Sequence, residues 1–237
     1  MSGYYARRLS GERLRRCYDL ASPRVRRYLD AEVEFVLSRV SPADSVLELG
    51  CGYGRVLEPV SCKARWSAGI DTAADSLVLA ARHIPDRDRC SLALMDAVAL
   101  AFRARSFDVV FCIQNGVCAF GVHPEELVRE AVRVTQPGGL LLFSSYSERF
   151  WNERLEWFRA QAAEGLIGEI DDAQTRDGTI VCKDGFRAGT MSSGSFRALC
   201  GALALAGRSI EVDGSSLFLE IRTSTENHPA DASGLID

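Results

Sequence analysis

The chain has 237 residues, of which 47% are hydrophobic and 25% are charged, and its formal net charge is −4. A chain of this size can bury one full hydrophobic core, and no run approaches the ~18 uninterrupted apolar residues of a membrane-spanning helix. No charged and then apolar leader with a small-residue cleavage site opens the sequence. We therefore expect a soluble, cytoplasmic globular protein with no membrane association.

The cysteines and histidines give no sign of disulfides or metal. Eight cysteines are scattered singly without a C-x-x-C pair, and several fall inside apolar runs. Reduced and mostly buried thiols explain this pattern best. The histidines are isolated from one another, whereas a zinc site needs clustered ligands. We predict no metal site.

Residues 1–40 are predicted to form a helical extension rich in arginine. Nine arginines stand against five acids, and tyrosines are interleaved among them, including Tyr4 and Tyr5. A basic segment with aromatic residues could bind nucleic acid or an anionic substrate. Apolar residues at helical spacing instead favour two helices that pack beside the rest of the protein, with solvated arginines opposite. We favour the second interpretation.

The next segment, residues 46–57, runs from an apolar strand into three alternating glycines and then a helix. Gly50, Gly52 and Gly54 tolerate positive φ and let the backbone approach a ligand closely. A dinucleotide-binding G-x-G-x-x-G loop needs a further glycine where Arg55 or Leu57 stands, so neither register fits. This spacing disfavours a dehydrogenase.

Two more predicted strands each end in an acidic residue. Residues 65–71 end in Asp71, whose carboxylate could accept two ribose hydroxyls or could cap the helix that follows. Residues 91–97 end in Asp96 and Ala97, where an isolated Asp is commonly a turn residue. Acids at these positions lie at the ligand-binding edge of an open parallel sheet.

The second half of this region alternates between strand and helix in the same way. Residues 106–113 form a nearly continuous apolar run, as expected for a strand buried on both faces, with Gln114 and Asn115 at its open end. Residues 125–135 predict an amphipathic helix. A Gln-Pro-Gly-Gly segment ends that helix before the apolar strand over residues 140–146.

Taken together, the E-L-G-C-G-Y-G loop, the acids that follow it and the later helix, Pro-Gly-Gly and strand block resemble the class I S-adenosylmethionine-dependent methyltransferases. The resemblance implies an α/β fold with a seven-stranded, mostly parallel Rossmann-like sheet, helices on both faces and an antiparallel last strand. It implies S-adenosyl-L-methionine as cofactor. Its predicted binding residues are Glu48, Gly50, Cys51, Gly52, Gly54, Asp71, Thr72, Asp96, Ala97 and Gln114.

We predict one domain over residues 41–222, with residues 1–40 as an extension or lid and residues 223–237 as a mobile tail. An insertion over residues 147–190 carries an aromatic helix and a hairpin across residues 171–178, and it is placed to roof a substrate pocket. A helix over residues 195–206 and two closing strands complete the sheet.

The predicted reaction is in-line methyl transfer to a small-molecule acceptor, with nucleic acid an unlikely partner. The chain has Ile-Gln-Asn-Gly where methyltransferases of nucleobase amines often have N/D-P-P-Y/F. The alternatives are an RNA- or protein-directed methyltransferase that uses the arginine-rich segment, and a non-catalytic binding protein. No catalytic residue is assigned, and His123 and Asp184 are candidate bases without a motif. The predicted substrate-side residues are Tyr4, Tyr5, Asn115, Phe120, Tyr146, Trp151 and Arg187.

Overall fold

A computed structural model describes residues 4–84, 86 and 88–225. Most of the predicted mobile tail, from residue 226 onward, lies outside these described residues. In the part of the chain that the structure describes, no helix has both the length and the apolar character needed to cross a membrane.

Three helices precede the sheet, where the sequence predicted two. They are α1 (Tyr4–Arg8), α2 (Gly11–Asp19) and α3 (Pro23–Leu37). The start of α3 follows from its sequence, because the Ser22 hydroxyl accepts the Val25 backbone N–H and Pro23 occupies the first helical turn.

The centre of the fold is a seven-stranded sheet whose topology matches the predicted fold class. The strands are β1 (Ser45–Leu49), β2 (Trp66–Asp71), β3 (Cys90–Leu94), β4 (Phe107–Cys112), β5 (Thr135–Tyr146), β8 (Gly207–Val212) and β9 (Ser216–Arg222). Their order is β3-β2-β1-β4-β5-β9-β8. The first five strands are mutually parallel, and β9 pairs antiparallel with both β5 and β8.

Helices cover both faces of this sheet. The helices that follow β1 in the described residues are α4 (Leu57–Lys63), α5 (Ala74–His83), α6 (Gly116–Ala119), α7 (Pro124–Val134), α8 (Trp151–Ala163) and α9 (Ser193–Ala202). Alternate residues of the central strands enter opposite cores: Val110 and Leu141 pack with residues of α7 and α9, whereas Val109 and Leu142 pack with residues of α3 and α4. Burial on both faces explains the nearly continuous apolar runs in the sequence.

A further hydrophobic core joins the N-terminal helices to the insertion. Its members include Leu9 and Cys17 from the N-terminal segment, Trp157 and Phe158 from α8, and Tyr146 at the end of β5. Because Tyr146 ends a parallel strand, this core lies over the carboxyl edge of the sheet. The N-terminal helices and the insertion therefore form one hydrophobic unit above that edge.

Two local predictions differ from the structure. The Gln-Pro-Gly-Gly segment belongs to β5, which begins at Thr135 and is interrupted by a register shift opposite residues 107–109. The predicted hairpin across residues 171–178 was placed too early: this stretch has only isolated bridges, between Ile170 and Cys182 and between Arg176 and Thr179. The two-stranded pairing is instead between β6 (Ile180–Val181) and β7 (Arg187–Ala188). Alternation within such short segments does not determine which neighbour they pair with.

Candidate cofactor and acceptor site

A cavity opens at the carboxyl edge of the sheet, beside β1 and β4. The strand order reverses between these two strands, and ligands of open α/β sheets bind at such a switch point. The half beside the sheet is lined by Gly50, Gly52, Asp71, Asp96, Gln114 and Phe120. The half beneath the N-terminal helices and the insertion is lined by Tyr5, Leu9, Leu14, Cys17, Tyr18, Tyr146, Trp157, Phe158 and Gln161.

The glycine loop and Asp71 form the floor of the sheet half. Gly50 and Gly52 adopt φ of +74° and +53°, which other residue types rarely do. The Gly52 N–H donates to Asp71 Oδ2 at 2.9 Å, and the Ala73 N–H donates to Asp71 Oδ1 at 2.8 Å. The N-cap residue of α5 is Ala73. Asp71 is therefore not that cap, and its carboxylate lies between the loop and the helix.

Cys51 and Gly54 support the loop from outside the cavity lining. The Cys51 N–H donates to the Ile70 carbonyl at 2.8 Å, and its thiol is buried among apolar residues. A Cβ at Gly54 would lie 3.2 Å from the Ala80 Cβ. These two residues hold the loop against β2 and α5.

Glu48 is a buried carboxyl beneath the loop with an unused acceptor. Its side chain is 4% exposed, and its Oε2 has no hydrogen-bond partner. Burial raises the pKa of Glu48 to about 8, with Arg55 opposing the shift and Asp71 adding to it. Glu48 does not itself line the cavity, but it lies two residues before Gly50, which does. An unpartnered buried carboxyl fits a positively charged ligand group, which would favour its ionised form.

Asp96, Ala97 and Thr72 line the same half of the cavity. Asp96 is exposed, and its Oδ1 accepts the Val98 N–H at 3.1 Å. It is therefore a turn residue whose remaining oxygen is available to a ligand. Both interpretations of Asp96 are compatible with this geometry.

The open end of β4 carries two consecutive residues with positive φ, Gln114 at +55° and Asn115 at +62°. Such backbone strain in residues other than glycine clusters at functional sites. The Gln114 N–H donates to Glu32 Oε2 at 3.1 Å. The Gln114 amide lies between the Tyr18 hydroxyl and the Arg55 guanidinium, with its oxygen best oriented toward Arg55.

Of the predicted substrate-side residues, Tyr5, Phe120 and Tyr146 line the cavity. Phe120 also packs on the glycine loop, because a Cβ at Gly50 would lie 2.4 Å from its ring. Asn115 is turned away: its Nδ2 donates to the Gly189 carbonyl and its Oδ1 accepts the Ser145 hydroxyl, both at 2.9 Å.

The remaining candidates also lie outside the lining. The Tyr4 hydroxyl donates to Asp184 Oδ2 at 2.6 Å, and Arg8 pairs with the same carboxylate at 2.8 Å, so Asp184 connects α1 to the insertion. Arg187 is exposed on β7, and His123 is exposed at the start of α7. Trp151 contacts the Arg154 guanidinium, 5.9 Å from its ring centroid.

The structure adds residues that the sequence did not single out. Glu32 and Gln161 are buried polar side chains, and their helices have no motif that marks them. Trp157 and Phe158 contribute to the aromatic load of the predicted insertion helix, and Tyr18 is one of the N-terminal tyrosines. Those aromatic residues had a sequence signal, whereas Glu32 and Gln161 had none.

Most of the N-terminal arginines are engaged within the protein. Ion pairs join Arg16 to Glu164, Arg24 and Arg27 to Asp213, and Arg39 to Glu220. Arg13 donates to the carbonyls of Gly165 and Leu166. This segment thus presents less free positive charge than its composition suggests. Within the described ranges, no group of His, Cys, Asp and Glu has metal-site geometry.

Comparison with known proteins shows that the region around this site is similar to a methyltransferase domain. The family described as "Methyltransferase domain" matches residues 47–143, which include the glycine loop, Asp71, Asp96 and Gln114. The chain is 27% identical over 138 residues to the 2-methyl-6-phytyl-1,4-hydroquinone methyltransferase of Synechocystis, covering 54% of this chain and 42% of that protein.

Two other similarities agree with this match. The phthiotriol/phenolphthiotriol dimycocerosates methyltransferase 1 of Mycobacterium ulcerans is 34% identical over 121 residues, covering 47% of this chain and 40% of that protein. A SAM-dependent methyltransferase of Methanosarcina mazei superposes with a TM-score of 0.58 at 17% identity, covering 81% of this chain and 98% of that one. The latter similarity shows the fold. The chain spans about half the length, or less, of the curated relatives it matches.

Proposed function

We propose that this chain is a class I S-adenosylmethionine-dependent methyltransferase that transfers a methyl group from S-adenosylmethionine to a small-molecule acceptor. The observation that carries this proposal is that the glycine loop, Asp71 and the aromatic side chains of the roof all line the same cavity. One ligand can occupy the sheet half while a second one reaches it from the roof half.

The residues of the sheet half suit the three parts of the cofactor. The glycine loop accepts close backbone approach, and Asp71 offers a carboxylate to ribose hydroxyls. Asp96 and Ala97 line the same half, and we assign the adenine to them. The unpartnered Glu48 oxygen suits the positively charged methionine end. The binding set is that of the sequence prediction, with Cys51 and Gly54 supporting the loop.

When bound, S-adenosylmethionine supplies a methyl carbon that is already activated on a positively charged sulfur. The protein must then bring the acceptor nucleophile into line with that carbon and exclude water. Tyr18, Tyr146 and Phe158 provide the apolar walls that do this. Since the roof lining contains no histidine or acid, this reaction depends on positioning more than on a side-chain base.

The engaged arginines favour a small acceptor over RNA or protein. A protein binds a polyanion such as RNA through arginines and lysines that are not already paired with acids. Here acids of the same chain pair with several N-terminal arginines, which leaves fewer of them for RNA. The relatives named above act, by their names, on a hydroquinone and on phthiotriol or phenolphthiotriol lipids.

We further propose that α1 and α2 act as a lid. Tyr18 and Leu14 from α2 line the cavity, so a movement of this segment would change access to the floor. Asp184 holds α1 to the insertion through Tyr4 and Arg8. These exposed contacts are individually weak, as a reversible closure requires.

Calorimetric titration of the full chain with S-adenosylmethionine, and separately with NAD, tests the cofactor. We expect a dissociation constant in the micromolar range, roughly −8 kcal/mol, for S-adenosylmethionine and no saturable binding of NAD. The reverse preference, or no binding of the methyl donor with candidate acceptors present, would reject the proposal.

Cofactor affinity is expected to rise with pH because of Glu48. Below about pH 8 the free protein holds this carboxyl protonated, and a cationic ligand favours the carboxylate, so binding releases a proton. Affinity should increase by at most about tenfold per pH unit up to this pKa and level off above it. Titrations in two buffers that differ in ionisation enthalpy measure the released proton.

Glu48→Gln is the matched control, because it keeps the size of the side chain and removes its titration. Its affinity should be lower near pH 8 and should lose the part of the pH dependence that Glu48 contributes. If wild type and Glu48→Gln give identical pH profiles, Glu48 does not face the cation.

A further inference from the structure

The roof half of the cavity is here termed the acceptor chamber, and it is lined by Tyr5, Leu9, Leu14, Cys17, Tyr18, Tyr146, Trp157, Phe158 and Gln161. Five of these nine side chains are aromatic, and the lining comes from the N-terminal segment, the end of β5 and α8. Such a chamber can hold either a flat aromatic ring or a cation against the ring faces. The charges behind the rings distinguish these two classes of ligand.

Two guanidinium groups already lie over the chamber's rings. Arg154 lies 4.3 Å from the Tyr146 centroid and 5.4 Å from that of Phe158, and Arg55 lies 5.4 Å from the Tyr18 centroid. Neither arginine belongs to the cavity lining. The rings therefore contact these cations from outside the chamber, which weakens their attraction for a second cation within it.

Arg154 adds a positive charge that no acid of the described residues neutralises by an ion pair. Its side chain is fully buried, and its terminal nitrogens donate to the carbonyls of Gly178 and Ala188 at 2.9 and 2.7 Å. The chamber lining itself holds no aspartate or glutamate. An ammonium group there would lie near a like charge without a carboxylate partner, which is unfavourable at low dielectric constant.

Gln161 is an unused polar group of the chamber. It is 3% exposed, lines the chamber, and its amide forms no hydrogen bond with any described residue. Its neighbours are already engaged: the Trp157 Nε1 donates to the Cys17 carbonyl at 2.8 Å, and the Tyr18 hydroxyl lies 2.5 Å from the Gln114 amide. Buried polar groups are normally hydrogen-bonded, so an unpartnered amide that faces a cavity points to a ligand.

Building on the proposed methyl transfer, we propose that the acceptor is a neutral or anionic aromatic hydroxy compound, held among Tyr18, Tyr146 and Phe158 and recognised by Gln161. The Gln161 amide donates to or accepts from an oxygen substituent of the ring. In the transfer, the acceptor hydroxyl oxygen forms a bond to the methyl carbon as the methyl–sulfur bond breaks and its electron pair stays on sulfur. The hydroxyl proton leaves to water, because no chamber side chain is a base.

Matched ligands test the class by calorimetry with the full chain saturated with S-adenosylhomocysteine. Comparing the affinities of catechol and cyclohexane-1,2-diol measures the contribution of the aromatic ring. Comparing those of 3,4-dihydroxybenzoate and 3,4-dihydroxybenzylamine measures the effect of the ligand's charge. We expect each first compound to bind at least about tenfold more tightly than its counterpart. Equal affinities, the reverse order, or no binding of any compound up to about 5 mM would overturn the proposal.

Gln161→Leu should weaken catechol binding about tenfold through loss of its hydrogen bond, while S-adenosylhomocysteine affinity stays within about twofold of wild type. Gln174→Leu, at an exposed position of the insertion, is the control and should change neither affinity. Gln161→Glu keeps the side-chain size and should reverse the preference between the acid and the amine. Unchanged catechol binding in Gln161→Leu, or an unchanged preference in Gln161→Glu, would contradict the role of Gln161.

These outcomes separate the acceptor proposal from the cofactor proposal. Loss of S-adenosylhomocysteine binding in the wild-type chain would reject the proposed methyltransferase function itself. Normal S-adenosylhomocysteine binding together with amine preference would reject only the acceptor class. Turnover with radiolabelled methyl donor should show the same order of the matched compounds in kcat/KM.

Discussion

Asp71→Ala should weaken cofactor binding by about 1.5–3 kcal/mol, or roughly 10- to 150-fold, the usual range for hydrogen bonds to a charged group. The carboxylate lies on the floor of the cavity between the Gly52 and Ala73 N–H groups. Burial raises its pKa, and the backbone donors oppose that shift. Asp71 ends β2 and lines the cavity. Its carboxylate is therefore the group that we expect to accept the ribose hydroxyls.

The test must separate ribose binding from support of the loop, since Asp71 also holds two backbone groups. We would titrate wild type and Asp71→Ala with S-adenosylhomocysteine and with its 2′,3′-dideoxy analogue. The mutation should cost much more affinity for the ligand that has the hydroxyls. Asp30→Ala, at an exposed position of α3, should change neither affinity. Equal losses for both ligands would assign Asp71 to the loop alone.

Glu32→Ala should lower the free energy of unfolding by about 2–4 kcal/mol, because it removes the acceptor of two buried donors. Glu32 is fully buried on α3, where it accepts the Gln114 N–H at 3.1 Å and the Ser216 hydroxyl. Burial raises the pKa of this carboxyl, and the hydrogen bonds from its neighbours counteract the shift. Its loss also releases the strained backbone at the open end of β4.

Urea denaturation monitored by circular dichroism measures this loss. Glu34→Ala lies on the exposed side of the same helix and should change stability by less than about 0.5 kcal/mol. Glu32→Gln should be milder than Glu32→Ala, because its amide oxygen still accepts one donor and no charge is buried. If Glu32→Ala and Glu34→Ala are equally stable, the buried carboxyl does not hold the β4 loop.

The cofactor half of the site was predictable because its determinants are local. Gly50, Gly52 and Asp71 each follow a strand directly, and parallel strands bring their carboxyl ends to one edge. The sheet topology confirms the predicted fold, and the methyltransferase-domain match covers residues 47–143, which include the glycine loop. The individual site residues remain predictions until cofactor binding is measured.

The acceptor half depends on contacts between distant parts of the chain. The Trp157 Nε1 donates to the Cys17 carbonyl, and the Tyr18 hydroxyl meets the Gln114 amide, so the roof forms only when α2, α8 and the β4 loop assemble. Asn115 and Arg187 were predicted to be substrate-side residues from their positions in the sequence. In the structure, the Asn115 side chain donates to the Gly189 carbonyl, and Arg187 is exposed on β7. Neighbourhood in sequence does not specify side-chain direction in loops and short strands.

By itself, the sequence determined the α/β fold, the place of the glycine loop and the acids at the strand ends, because strand burial and backbone conformation are imposed over a few adjacent residues. Only the tertiary structure decided which side chains face the cavity. Burial of Glu32, the unpartnered amide of Gln161 and the guanidinium groups behind the aromatic rings each arise where separate segments pack together. No local pattern of the chain encodes those packings.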